Sequence, residues 1–152
     1  DLIGVLNCQE GIREVSVEEN YDNYILKVSL HFDNVESLLA AFKETMEEVG
    51  NMAVEDTSNY NWVSWDGLTL IRQIPDLSSF KFRLVKKEDQ ELMRSGMYTS
   101  ISRFDSPVNQ IENPSAILSK NNKAVMLRSS LFDVFGNPSI MDNTISVKPA
   151  DN

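Results

Sequence analysis

The chain has one cysteine, Cys8, and one histidine, His31, among its 152 residues. A single cysteine excludes an intramolecular disulfide. Together the two residues cannot supply the four nitrogen or sulfur ligands of a structural zinc site. No apolar run reaches the roughly 18–20 residues that a membrane helix needs. Basic residues are scarce: 14 Lys and Arg stand against 23 Asp and Glu, a net charge of -9. Nucleic-acid affinity comes largely from Lys and Arg neutralising phosphates, so no nucleic-acid partner is expected. The only local basic run, Lys81-Phe82-Arg83 to Lys86-Lys87, is followed at once by Glu88-Asp89 and Glu91. Anionic membrane surfaces are disfavoured on the same electrostatic ground. The glycines (Gly4, Gly11, Gly50, Gly67, Gly96 and Gly136) are all isolated. No phosphate loop, dinucleotide fingerprint or Gly-x-Ser-x-Gly elbow is therefore present. The chain opens Asp1-Leu-Ile-Gly-Val-Leu-Asn7, without the basic start and long apolar stretch of a signal peptide. A removed signal would leave the same start, so export stays open.

What is present suits a globular protein. Hydrophobic residues make up 41% and charged residues 24%, an ordinary balance. The length fits one domain, at roughly 100–200 residues each. Val15 and Val17 alternate with polar neighbours. After the polar loop Glu18 to Asn23, Tyr24, Leu26, Val28, Leu30 and Phe32 fall on one face, with Lys27, Ser29 and His31 on the other. This predicts a hairpin over Ile12–Phe32 with one buried and one wet face. Asp33 with Glu36 has capping-box spacing. Val35, Leu38, Leu39, Phe42, Met46 and Val49 then repeat at helical spacing up to Gly50.

Residues 51–61 are polar and predict a loop. Asn61-Trp-Val-Ser-Trp65, Asp66-Gly67 and Leu68 to Arg72 predict a second hairpin. Phe80, Phe82 and Leu84 alternate as a strand, and Lys86–Ser95 predicts a short helix. From Met97 to Val147 the pattern is strand, turn, strand, tight hairpin, strand. Asp105-Ser-Pro107 stops the first strand, and Asn121-Asn-Lys123 turns the hairpin. Phe132–Asn143 predicts an irregular crossing, and Ile145 and Val147 a last short strand. Segregated strands and helices argue for an α+β fold. The expectation is a single domain over residues 1–152. It is an antiparallel sheet of several hairpins, covered on one face by one long and one short helix.

Chemistry is sparse. A nucleophilic cysteine usually needs a histidine, and His31 sits in a strand pattern that reads as a solvated sheet face. Cys8 admits lipid attachment, a reactive thiol or core packing. Calcium needs clustered oxygens; Asp22-Asn23, Glu55-Asp56 and Asp142-Asn143 read first as turns. Paired acids such as Glu18-Glu19 and Glu47-Glu48 read first as solvated surface. No catalytic residue, metal ligand or cofactor is expected. The aromatics Tyr60, Trp62 and Trp65 lie close together on one hairpin and are the candidate ligand-binding residues, because exposed rings can stack on sugars. Trp62 and Trp65, three apart, face opposite sides of a regular strand.

Several of these segments together resemble a group of lipoproteins of unknown function from Bacteroides- and Flavobacterium-type bacteria. The segments are Tyr24 to Leu39, the Trp65-Asp66-Gly67 hairpin within Val63–Leu70, and Met97 to Ser100 through Phe104 to Val108. Asn113 to Ala116 and Leu118 to Leu127 complete the likeness, which covers roughly residues 11–148. It implies a secreted protein on the periplasmic or outer-membrane side of a cell envelope, lipid-anchored in its full-length form. The members have a lipobox and a further strand–helix section upstream; neither is in this chain, which suggests an N-terminally shortened form. No functional residue follows from the resemblance. The leading expectation is a non-enzymatic envelope module with an unknown protein or glycan partner. Membrane contact would come only through a lipid anchor that this chain lacks. A glycan or small-ligand binder using the Trp hairpin and a hydrolase with dispersed carboxylates are the alternatives.

Overall fold

The computed structural model describes residues 2–20, 22, 25–48, 61–74 and 86–149. The fold is α+β, and the described residues hold nine strands in antiparallel sheets. The strands form three sheets rather than one. The chain divides into two compact units, residues 1–61 and 62–152. The strand expected at Phe80–Leu84, the loop at 51–60 and the helix end at Gly50 lie outside the described residues.

The first unit runs α1 (Leu2–Asn7), β1 (Ile12–Asn20), β2 (Ile25–Phe32), α2 (Val35–Glu48). The two strands form the expected hairpin, with Ile12 opposite Phe32 and Val17 opposite Val28. A bulge between Arg13 and Ser16 shifts the register, and Glu14 there has a φ of 54°. Such an extra residue bends the strand and increases its twist. Leu6, Ile12 and Ala41 form the buried core, with Val15 and Leu30 packed against it. Phe32 and Val28 stay exposed, so this face is buried only in part. The helix cap is Asn34, one residue later than read: its Oδ1 accepts from the Ser37 N–H at 2.8 Å. Asp33 instead pairs with Arg13. α1 is a helix of six residues, too short to show a helical period in the sequence.

The second unit holds β3 (Val63–Trp65), β4 (Thr69–Arg72), α3 (Lys87–Ser95), β5 (Met97–Arg103), β6 (Val108–Ile111), β7 (Ile117–Leu118), β8 (Ala124–Ser130), α4 (Leu131–Gly136), a 3-10 helix (Pro138–Met141) and β9 (Asn143–Val147). One sheet has the order β3-β4-β9-β6 and the other β5-β8-β7. The last strand is thus central in its sheet, between β4 and β6. Alternate residues Asn143, Ile145 and Val147 are buried on one face. Val108 and Ile145 of this sheet bury together with Val125 of the other, and Leu70, Phe104 and Ile111 pack around them. The stretch read as an irregular crossing holds two short helices. Ser130 Oγ accepts from the Asp133 N–H at 3.0 Å and donates to Asp133 Oδ2 at 2.7 Å. That reciprocal cap starts α4. Asn113 ties down the stretch that follows: its Nδ2 donates to the Ile140 and Asp142 carbonyls at 3.0 and 2.7 Å.

The Asp66-Gly67 turn forms where expected. Gly67 has a φ of 97°, in the left-handed region that favours glycine. Asp66 Oδ1 accepts from the Leu68 N–H at 2.9 Å and the Thr69 N–H at 2.7 Å. These two bonds, Leu68 first, hold its carboxyl below the ordinary value of 3.8. A carboxyl lowered in the folded state adds stability above the unfolded value, and loses it as pH falls through the folded value. Asp66→Asn is therefore expected to melt with a shallower pH dependence than the parent below pH 3.8. Parallel acid melts by circular dichroism check this; identical slopes would refute it.

Candidate functional site

The site is best built from β5. Its sequence Met97-Tyr-Thr-Ser-Ile-Ser-Arg103 alternates, and hydropathy alone would turn Met97 and Ile101 inward. The structure does the reverse. Tyr98, Ser100 and Ser102 point to the half-buried face, whereas Met97, Thr99, Ile101 and Arg103 are exposed. The neighbouring strand sets this orientation. Ser100 pairs with Leu127 and Ser102 with Val125, and Leu127 and Val125 are core residues. Paired residues of an antiparallel ladder share a face, so the serines follow them inward.

Two consequences follow from this inversion. On the outer face, Ile101 pairs with Met126, and Met126 with Ile117 of β7. An apolar row therefore crosses all three strands. Met97 and Ile101 are each 45% exposed and Ile117 is 58% exposed. Arg128, opposite Thr99, and Arg103, opposite Ala124, are exposed on the same face. β5, β7 and β8 contain no Asp or Glu. In a chain of net charge -9, this face is apolar with a cationic rim. Edge strands β5 and β7 bound it among the described residues.

On the inner face, the polar side chains surround an arginine. Arg72 lies opposite Asn143 on the neighbouring strand. Its Nη1 donates to Ser100 Oγ and its Nη2 to Tyr98 Oη. Its guanidinium carbon sits 5.8 Å from the Trp62 ring centre and 5.9 Å from that of Tyr98. Contacts of this kind are worth about 0.5–2 kcal/mol each. No carboxylate pairs with Arg72 among the described residues. A small cavity lies beside it, bounded by Ser100, Ser102, Met141, Asn143 and Ile145.

The expected ligand residues fall as follows. Trp62, half-buried just before β3, has its ring by Arg72. Trp65 is 39% exposed, and its ring centre lies 5.8 Å from that of Phe104, tilted by 31°. The two tryptophans thus have different ring neighbours. Tyr60 lies outside the described residues. Cys8 is exposed after α1, so it is not a core residue. His31 is solvated on its strand, with Nδ1 3.0 Å from Glu14 Oε2. Among the described residues no three of the His, Cys, Asp and Glu side chains gather to hold a metal ion. No described helix is long and apolar enough to cross a membrane.

Arg72, Ser100 and Ser102 were not singled out by sequence, and Asn143, read as a turn residue, is instead a buried residue of β9. The available signal was three polar residues, Tyr98, Ser100 and Ser102, at every second position of a strand between apolar ones. Comparison with protein-family models, curated proteins and solved structures finds no match.

Proposed function

We propose that this protein is a non-enzymatic interaction module, and that the outer face of β5-β8-β7 is its docking surface. The observation that carries this is the inversion of β5, which spends apolar side chains on solvent and polar ones on the interior. Exposed apolar rows rimmed by polar groups are a mark of interaction surfaces. The partner suited to it is a protein segment whose apolar side chains cover Ile101, Met126 and Ile117 while flanking carboxylates meet Arg103 and Arg128. A second copy of the chain is a poorer fit, because a two-fold contact through this face would bring arginines together. With the resemblance of residues 11–148 to envelope lipoproteins, we further propose that the module works in the cell envelope, anchored by a lipid in its full-length form.

A displayed peptide library tests the docking face. Selection on the parent protein is expected to enrich peptides combining apolar residues with Asp or Glu. Those peptides should fail to bind Ile101→Glu/Ile117→Glu. Peptides that bind both proteins alike would overturn the proposal, and self-association lost in the double variant would redirect it to a dimer.

A second reading, glycan binding through the Trp hairpin, has the exposed Trp65 ring beside Phe104 in its favour. If the sheet face is the working surface, tryptophan fluorescence stays unchanged across a glycan panel. A saturable change that Trp65→Ala abolishes would instead favour the glycan binder.

A further inference from the structure

The polar interior left by the inversion of β5 carries a second site, independent of the docking face. Asn143 is 7% exposed. Its Oδ1 accepts from the Asn113 N–H at 3.0 Å, which fixes the amide orientation and leaves Nδ2 to the other side. That Nδ2 is buried with no acceptor among the described residues, and so is the Nε of Arg72. Both residues bound the same cavity, together with Ser100 and Ser102. The Ser100 and Tyr98 oxygens already accept from Arg72, so their hydroxyl protons remain available to donate. The lining is thus rich in donors and carries one positive charge with no carboxylate partner among the described residues. Buried donors whose hydrogen bonds go unmade are costly.

We propose that this cavity binds one small inorganic anion, of chloride size, held by Arg72 and Asn143 and supported by the serine hydroxyls. The cavity has a volume of about 10 Å³, close to the least that holds one water, so chloride, slightly larger than water, must widen it a little. Phosphate, sulfate and carboxylate ligands are larger than that. The anion supplies the missing countercharge and accepts the two orphaned donors. A ligand that binds only the folded state raises its melting temperature, so the protein would carry a halide-dependent stability.

Bromide provides the probe. The parent protein is expected to melt about 3 °C higher in sodium chloride or bromide than in sodium gluconate at equal ionic strength. Crystals grown in bromide should show an anomalous peak between the Arg72 guanidinium and Asn143 Nδ2. Asn143→Asp keeps the acceptor for Asn113 and places a carboxylate oxygen opposite Arg72. It is expected to lose both the halide shift and the peak. An occupant without anomalous signal in the parent protein would show a buried water and overturn the proposal. So would a halide shift that survives in Asn143→Asp.

Discussion

Met141→Ala is expected to cost about 3 kcal/mol of stability, within the range of about 2–5 for truncating a buried methionine. Met141 is 1% exposed and is the largest fully buried side chain among the described residues. It packs with Leu127 of β8 and Val134 of α4, and Ile74, Tyr98 and Ile140 close around them. Truncation removes these contacts and enlarges the small cavity that Met141 already bounds beside Arg72. Neighbours cannot collapse into the gap easily, because Asn113 pins the chain at Ile140 and Asp142. Met141→Leu conserves most of the volume and should cost less than about 1.5 kcal/mol. Urea unfolding checks both. A loss below about 1 kcal/mol for the alanine variant would show that the cluster is not packed as described.

Gly11→Val is the second large effect, and it acts in the other unit. Gly11 has a φ of 77°, a conformation that β-branched residues rarely adopt. A Cβ at this position would also lie 2.9 Å from the Ser37 Cβ on α2. The backbone cannot simply swing away, since the Gly11 carbonyl accepts from the Asp33 N–H at 2.9 Å. Backbone strain and overpacking each cost about 1–3 kcal/mol, so a total of about 3 kcal/mol is expected. Residues 12–20 and 35–48 should then exchange their amide hydrogens faster than in the parent. Unchanged exchange there would contradict the close approach of Gly11 to α2.

Elements with a local signature were legible in the sequence. The alternation of Ile12–Phe32, the apolar repeat of Val35–Phe42 and the Asp66-Gly67 turn each determine their structure within a few residues. What depended on distant partners was not legible. β6, only four residues, shows no period of its own and exists because β9 pairs with it. The division into three sheets is likewise set by which strands meet. The Phe132–Asn143 stretch hid its helices because Gly136 and Pro138 read as breakers. They separate the two helices instead, and the Ser130–Asp133 cap was the overlooked signal. The Arg72 cluster was hidden for the strongest reason: hydropathy assigns Tyr98, Ser100 and Ser102 to solvent, and only pairing with Val125 and Leu127 turns them inward. A strand whose local pattern conflicts with its burial is a place to look for function.

The central claim is that β5 presents its apolar side chains to a partner. Titration calorimetry of a selected apolar–acidic peptide against the parent and Ile101→Glu/Ile117→Glu tests it most directly. Each substitution removes apolar contact and sets a carboxylate against the peptide's own, so a loss of at least about 100-fold in affinity is predicted, equivalent to about 2.7 kcal/mol. Both residues are exposed, so the unfolding curve of the variant should stay within about 1 kcal/mol of the parent. An affinity unchanged within about threefold, with the fold intact, would contradict the claim.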